Sequence, residues 1–344
     1  MNTKTISKVS INNFEPHPVG FGAGPIGGKY GSINDEIALE AVRKALELGI
    51  NYFDTAPYYG VSEYRLGKAL EALKDQFPRE SYYISTKVGR YGDRREDFNF
   101  TASTVRQSIE RSMERLKTEY LDIVICHDVE FVELDEVVGK GGALEALFQL
   151  RSEGKIRWIG ISGYPLPSLL KIAQYQYEQM KPLDIVLSYC HYTLQNTLFS
   201  SAAPQFLTYG IRWLINASPI GMGLLRDNGP QPWHPASPDL LDACHKASAF
   251  CREVGVNLPQ LAMKFAYEAV PQKFVTTLVG CLEPKEVECA LESWLQVINR
   301  RAEGNSGESA VISNENERYA LERVKSILAA HKDETWPSPP PNFK

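Results

Sequence analysis

Along the chain, short apolar runs alternate with segments whose apolar positions recur every three or four residues. The runs fall at 19–21, 50–54, 82–87, 121–127, 156–162, 184–190, 211–218 and 275–280. They are rich in Ile, Val, Tyr and Trp and apolar on successive positions, the pattern of strands covered on both faces of a parallel sheet. Between them the period shifts to that of a helix. Ile37, Ala38, Ala41, Val42, Ala45 and Leu48 make one stripe, with Asn34 or Asp35 as cap and Gly49 at the stop. Val105, Ile109, Met113 and Leu116 make another behind Thr101 or Ser103, and Leu144, Leu147 and Phe148 a third that ends at Gly154. A further helix is predicted over 259–269. Eight strands alternating with helices, with no break in composition, predict an α/β fold of the (β/α)8 TIM-barrel kind over residues 1–300. Residues 301–344 read as an extension: a polar stretch, one helix over about 313–332, and a Pro-rich end that suits neither helix nor inner strand.

Gly22-Ala23-Gly24-Pro25-Ile26-Gly27 fits G-x-G-x-x-G, a dinucleotide-binding pattern when a helix starts on the glycines. Here Gly28 to Ser32 intervene before any helical period, and Asp54 lies too far on for the acidic partner. A loop at a barrel mouth is the better reading.

Composition narrows the class. The chain has 344 residues, 43% of them apolar, which is ample for one barrel and its core. A net charge of −5 offers no footprint for a nucleic-acid backbone. Residues 1–16 lack the apolar core of a secretory leader, and no run reaches the roughly 18 apolar residues of a membrane span. The six cysteines are scattered without C-x-x-C spacing, as reduced thiols in a cytoplasmic protein would be. No H-x-H or H-E-x-x-H spacing appears, so no metal is expected.

In such barrels chemistry sits at the C-terminal ends of strands. Asp54 ends the second predicted strand, Tyr59 follows five residues on, Lys87 ends the third and His127 the fourth. Neighbouring strands lie about 4.8 Å apart, so these side chains can meet. An ammonium beside a phenol lowers its pKa, a carboxylate holds the ammonium, and an imidazole can orient a substrate oxygen. Together they make an acid/base for a carbonyl or carbinol carbon.

Asp54-Thr-Ala-Pro-Tyr-Tyr59-Gly, Ser62-Glu63 with Leu66-Gly67, the Lys87 and His127 strands, Ile159-Gly160-Ile161-Ser162 and Ala217-Ser218-Pro219-Ile220 resemble the aldo-keto reductase family in order and spacing. That likeness implies that Tyr59 is the general acid/base, that Lys87 and Asp54 tune it, and that His127 orients substrate for hydride exchange with a nicotinamide. It implies cofactor contacts at Gly22, Ala23, Asp54, Ser162, Ser188, Ser218, Pro219, Ile220, Gly221, Gly223, Gly280, Glu283 and Glu288. Substrate contacts are implied at Tyr59, His127, Asp128 and Trp233. His127-Asp128-Val-Glu-Phe131, Leu187-Ser-Tyr-Cys-His-Tyr192 and Trp233-His-Pro-Ala-Ser237 resemble the branch that oxidises aldoses at C1, such as D-arabinose, L-galactose or L-fucose. The family's Ser-Asn pair after strand five is here Ser162-Gly163, its stacking aromatic after strand seven is Ala217, and its late Glu-Asn is reduced to Glu288 with Cys289. Glu283 near the last strand, where a basic cluster would hold a 2′-phosphate, favours NAD over NADP. The expectation is a monomeric or homodimeric NAD-dependent dehydrogenase of a small sugar. The alternatives are an NADPH-dependent reductase of small aldehydes such as pyridoxal and a non-catalytic, cofactor-bound regulatory subunit.

Overall fold

A computed structural model describes residues 8–28, 34–229, 232–341 and 343. Its eight parallel strands close on themselves in sequence order. They are β1 (Val19–Gly22), β2 (Tyr52–Asp54), β3 (Tyr83–Val88), β4 (Leu121–Cys126), β5 (Ile156–Gly163), β6 (Ile185–Tyr189), β7 (Trp213–Ala217) and β8 (Thr276–Gly280). Around them run α1 (Asp35–Glu47), α2 (Ser62–Leu73), α3 (Ala102–Leu116), α4 (Leu134–Val138), α5 (Ala143–Ser152), α6 (Leu166–Glu178), α7 (Leu198–Thr208), α8 (Pro238–Glu253), α9 (Leu258–Glu268) and α10 (Pro284–Ala302). The TIM barrel expected from the apolar periods is the fold observed.

The strands are buried along almost their whole length because helices cover the outside and side chains fill the inside. Inward positions of β2 to β7 supply Tyr52, Tyr83, Ile123, Ile125, Trp158, Ile185, Leu187, Trp213 and Ile215. Phe14, from the segment before β1, wedges edge-on among Tyr52, Tyr83 and Trp213, with ring centroids 5.0–5.7 Å apart, and plugs the N-terminal end. The opposite end is left for chemistry.

Local signals act as their chemistry requires. Asn34 Oδ1 accepts from Ile37 N at 2.8 Å to cap α1, and Gly49 turns away at φ 84°. At α3 the cap residue is Thr101, yet its hydroxyl makes no capping bond and donates to Asn99 instead. Two short helices escaped the periodic reading, α4 and α11 (Glu308–Val311), each too brief to show a period. The last helix, α12 (Glu315–Leu328), is shorter than expected because Asn314, not Ser313, caps it.

The residues after α10 fold back on the barrel. α12 packs against α8, and the buried Lys264 of α9 donates to Glu317 at 2.6 Å. The chain then crosses the C-terminal end of the barrel. Gln195 Nε2 donates to the carbonyls of His331 and Glu334 at 2.6 and 3.1 Å. Trp336 stacks on Tyr164 at 4.6 Å, and Phe343 meets Phe98 and Phe131 edge-on at 5.5 and 4.9 Å.

Candidate active site

Asp54, Lys87 and His127 sit at the C-terminal ends of β2, β3 and β4, with the same inward parity as Tyr52, Tyr83 and Ile125. Strand register staggers them: Asp54 pairs with Ser85, two residues before Lys87, and Lys87 with Ile125, two before His127, a step that the tilt of the barrel strands partly offsets. Lys87 and Asp54 form a buried ion pair between Nζ and Oδ1. Lys87 Nζ also donates to the Thr55 carbonyl at 2.9 Å, and Asp54 Oδ2 accepts from Ser85 Oγ at 2.9 Å. The ammonium lies 4.8 Å from the centre of the Tyr59 ring, which also neighbours the His127 ring at 5.6 Å and 87° and the Tyr58 ring at 5.9 Å. The four residues singled out for chemistry therefore meet at the mouth.

The loop that carries Tyr59 is fixed by its neighbours. Ser62 Oγ donates to the Ala23 carbonyl at 2.6 Å and lies 2.7 Å from Thr55 Oγ1. Glu63, buried at the start of α2, accepts from Thr86 Oγ1 at 2.6 Å and Arg115 Nη1 at 3.1 Å. The glycines that imitate a dinucleotide fingerprint have another purpose. β1 ends at Gly22, a short 3₁₀ turn follows at Pro25–Gly27, and α1 begins only at Asp35. A Cβ on Gly27 would stand 1.8 Å from the Tyr59 carbonyl oxygen, so only glycine lets the two loops touch.

One expectation fails. Lys87 does not make the Tyr59 phenol acidic: burial pushes it well above the ordinary phenol range, Asp54 and Asp128 push the same way, and Arg90 opposes them. Burial is the larger cause, and Asp54, which pairs with Lys87, adds a negative charge beside the ring.

The positions implied for a cofactor lie at the same end of the barrel. Gly22 and Gly280 are partners across β1 and β8, and Ala23 N donates to the Asp54 carbonyl at 2.8 Å. Ser162 and Ser188 are buried on β5 and β6, Ser162 Oγ reaching the Cys126 carbonyl at 3.4 Å and Ser188 Oγ lying 3.1 Å from His191 Nδ1. After β7, Ser218, Pro219, Ile220, Gly221 and Gly223 form consecutive tight turns, with positive φ at Ser218, Gly221, Met222 and Gly223. Such turns converge backbone N–H groups into anion-binding concavities, which suits a diphosphate. Glu283 stands at the cap position of α10, and Glu286 Oε2 accepts from Leu282 N at 2.5 Å. Glu288, early in α10, pairs with Lys44 at 2.9 Å and is half exposed.

Asp128 is buried beside His127, its Oδ2 3.5 Å from His127 Nε2. Trp233 is half exposed and stacks loosely on His234, whose Nε2 lies 3.0 Å from the Gly221 carbonyl. Sequence reasoning overlooked two neighbours. Arg90, three residues beyond Lys87, bonds Asp128 at 2.5 Å and Tyr58 at 2.6 Å. Glu130 accepts from Tyr164 N at 3.0 Å and from Ser338 Oγ of the last segment at 2.8 Å. Its Oε2 is sealed from solvent with no hydrogen-bond partner among the described residues, and a Cβ on residue 163 would lie 2.4 Å from it, which explains Gly163. Spacing hints at Arg90; nothing in the sequence brings residue 338 to residue 130.

Residues 18–301 match the model of the aldo/keto reductase family. The chain is 40% identical to an L-galactose dehydrogenase of Arabidopsis thaliana, and 36% to a D-arabinose 1-dehydrogenase of Saccharomyces cerevisiae. Each alignment covers 93% of both chains. The solved glycerol dehydrogenase of Gluconobacter oxydans shares the fold with a TM-score of 0.64 at 20% identity, over 100% of each chain. The barrel, the convergence of Asp54, Tyr59, Lys87 and His127, and these matches agree: the chain belongs to the aldo/keto reductase family.

Proposed function

We propose that this oxidoreductase oxidises the anomeric C1 hydroxyl of a cyclic aldose of the D-arabinose, L-galactose and L-fucose class, with NAD, to the aldonolactone. The convergence of Tyr59, Lys87, Asp54 and His127 carries the reading, and the aldose dehydrogenases among the chain's relatives support its substrate class. Tyr59 is the proton carrier: its phenolate, formed when the phenol gives its proton to solvent, accepts the O1 proton as the C1–H bond breaks. Asp54 and the Thr55 carbonyl keep Lys87 charged and aimed beneath the phenol. His127 orients O1, and Asp128 and Trp233 face the rest of the sugar. The nicotinamide, when bound, supplies the hydride acceptor.

The turns from Ser218 to Gly223 suit the diphosphate, while Gly22, Ala23, Ser162, Ser188 and Gly280 line the end where the dinucleotide lies. The entrance to α10 bears on the choice of dinucleotide. Glu283 and Glu286 place two carboxylates there, one of them already on the Leu282 amide, and a 2′-phosphate would be repelled. This supports NAD over NADP. The test is kcat/KM for the three sugars with each dinucleotide, beside a Tyr59→Phe variant. We expect NAD-linked oxidation that falls at least about 10²-fold in Tyr59→Phe, with dinucleotide affinity kept. Brisk NADPH-linked aldehyde reduction with no sugar oxidised would overturn the proposal.

A further inference from the structure

Asp128 follows His127 directly and adopts a left-handed conformation, φ 50°. Non-glycine residues rarely hold that conformation unless the surroundings enforce it. Here Asp128 Oδ2 is 2.5 Å from Arg90 Nη1 and 3.5 Å from His127 Nε2. The guanidinium is fixed on every side. Nη2 donates to Tyr58 Oη at 2.6 Å and to Asp93 at 3.1 Å, and Nε donates to the Gly92 carbonyl at 3.2 Å. Its plane covers the Tyr58 ring at 3.6 Å, and Phe98 and Phe131 flank it at 5.2 and 5.1 Å. The Tyr58 ring that Arg90 covers lies 5.9 Å from the Tyr59 ring and 5.7 Å from the His127 ring. The pair thus borders the proton carrier and the imidazole at the mouth.

None of the steps assigned to Tyr59, Lys87, Asp54 and His127 needs this pair. A buried ion pair gives little net stability compared with apolar packing, so its presence beside the site calls for a different use. A carboxylate oxygen and a guanidinium N–H set side by side are complementary to two adjacent hydroxyls, one donating and one accepting. The pair is neutral overall, so it suits an uncharged polyol better than an acid or a phosphate ester.

We propose that Arg90 and Asp128 together read a vicinal diol of the substrate, and that Arg90 is the specificity-determining residue of the pair. The proposal rests on the aldose reading of the same site. A site built to bond hydroxyls rejects analogues that lack them because its own polar groups are then left unpaired.

The experiment compares wild type, Arg90→Lys, Arg90→Met and Asp128→Asn on three substrate types. These are the preferred aldose, its deoxy analogues lacking one ring hydroxyl, and a simple aldehyde without hydroxyls assayed in reduction. Expected is a loss of about 10²-fold or more in kcat/KM for the aldose in Arg90→Met, carried mainly by KM. The loss on the simple aldehyde is at least about tenfold smaller than on the aldose, and an unchanged far-UV circular dichroism spectrum shows that the variant is folded. The penalty for one deoxy analogue collapses in the variants, and Arg90→Lys recovers part of the loss. Equal losses on all substrates, or a deoxy penalty that persists in Arg90→Met and Asp128→Asn, would show a merely structural role and overturn the proposal while leaving the aldose reading intact. A wild type that reduces the aldehyde but oxidises no aldose overturns both.

Discussion

Replacing Asp54 by Asn separates what the Lys87–Asp54 pair does for folding from what it does for chemistry. Both side chains are almost fully buried, and the remaining acceptor for Lys87 is the Thr55 carbonyl. Breaking a buried pair by removing one partner costs about 3–5 kcal/mol, because the other charge stays behind uncompensated. The asparagine keeps a carbonyl for the ammonium, so the lower end, about 3 kcal/mol, is expected. Unfolding entropy of about 2.1 cal/mol/K per residue gives roughly 0.7 kcal/mol/K for this length, so Tm should fall by about 4 °C. Adding Lys87→Met removes the stranded charge and should restore at least half of that loss. Calorimetry or denaturant titration reads the stability, and NADH formation reads turnover, which should be lost in the single and the double variant alike. A Tm within 1 °C of wild type in Asp54→Asn, or a double variant no more stable than the single, would refute the reasoning.

Burial and the carboxylates of Asp54 and Asp128 hold the Tyr59 phenol protonated, so oxidation, which needs a proton acceptor, should accelerate as pH rises above neutrality; the residual alkaline limb of Asp54→Asn should shift to lower pH, and a wild-type limb complete by pH 7 would contradict this. Glu130 is pushed from its ordinary 4.5 up to about 8, by burial first and by Asp128 second. A carboxyl raised on folding contributes stability below its unfolded value and loses it as pH climbs through its folded one. Glu130→Gln should therefore gain stability relative to wild type between about pH 4.5 and 8, by at most about 1.4 kcal/mol per pH unit, and then level off; a flat difference across that window, measured by denaturant titration, would disprove it. Gly27→Ala places a methyl against the Tyr59 carbonyl and should displace the catalytic loop, lowering kcat on the order of 10²-fold, while an unchanged kcat would mean that the loop has room to yield.

The barrel was legible because each strand had to be apolar on both faces and each helix on one, and those two periods survive in the linear sequence. The place of Asp54, Lys87 and His127 followed from the same rule, since parallel strands deliver their last inward residues to one end. What residue types and strand ends alone decided was therefore the scaffold and the candidate residues gathered at its mouth. Folding decided their electrostatics. Burial, with Asp54 and Asp128 close by, leaves Tyr59 less acidic than the charge of Lys87 suggests, and that depends on distances and burial invisible in spacing. It also decided the long-range partners: Arg90 with Asp128, Glu130 with Ser338, and Gly27 with Tyr59. Periodicity reports which face of its own element a residue occupies, whereas such contacts depend on how separate loops cross at the barrel mouth, and no local pattern records that crossing.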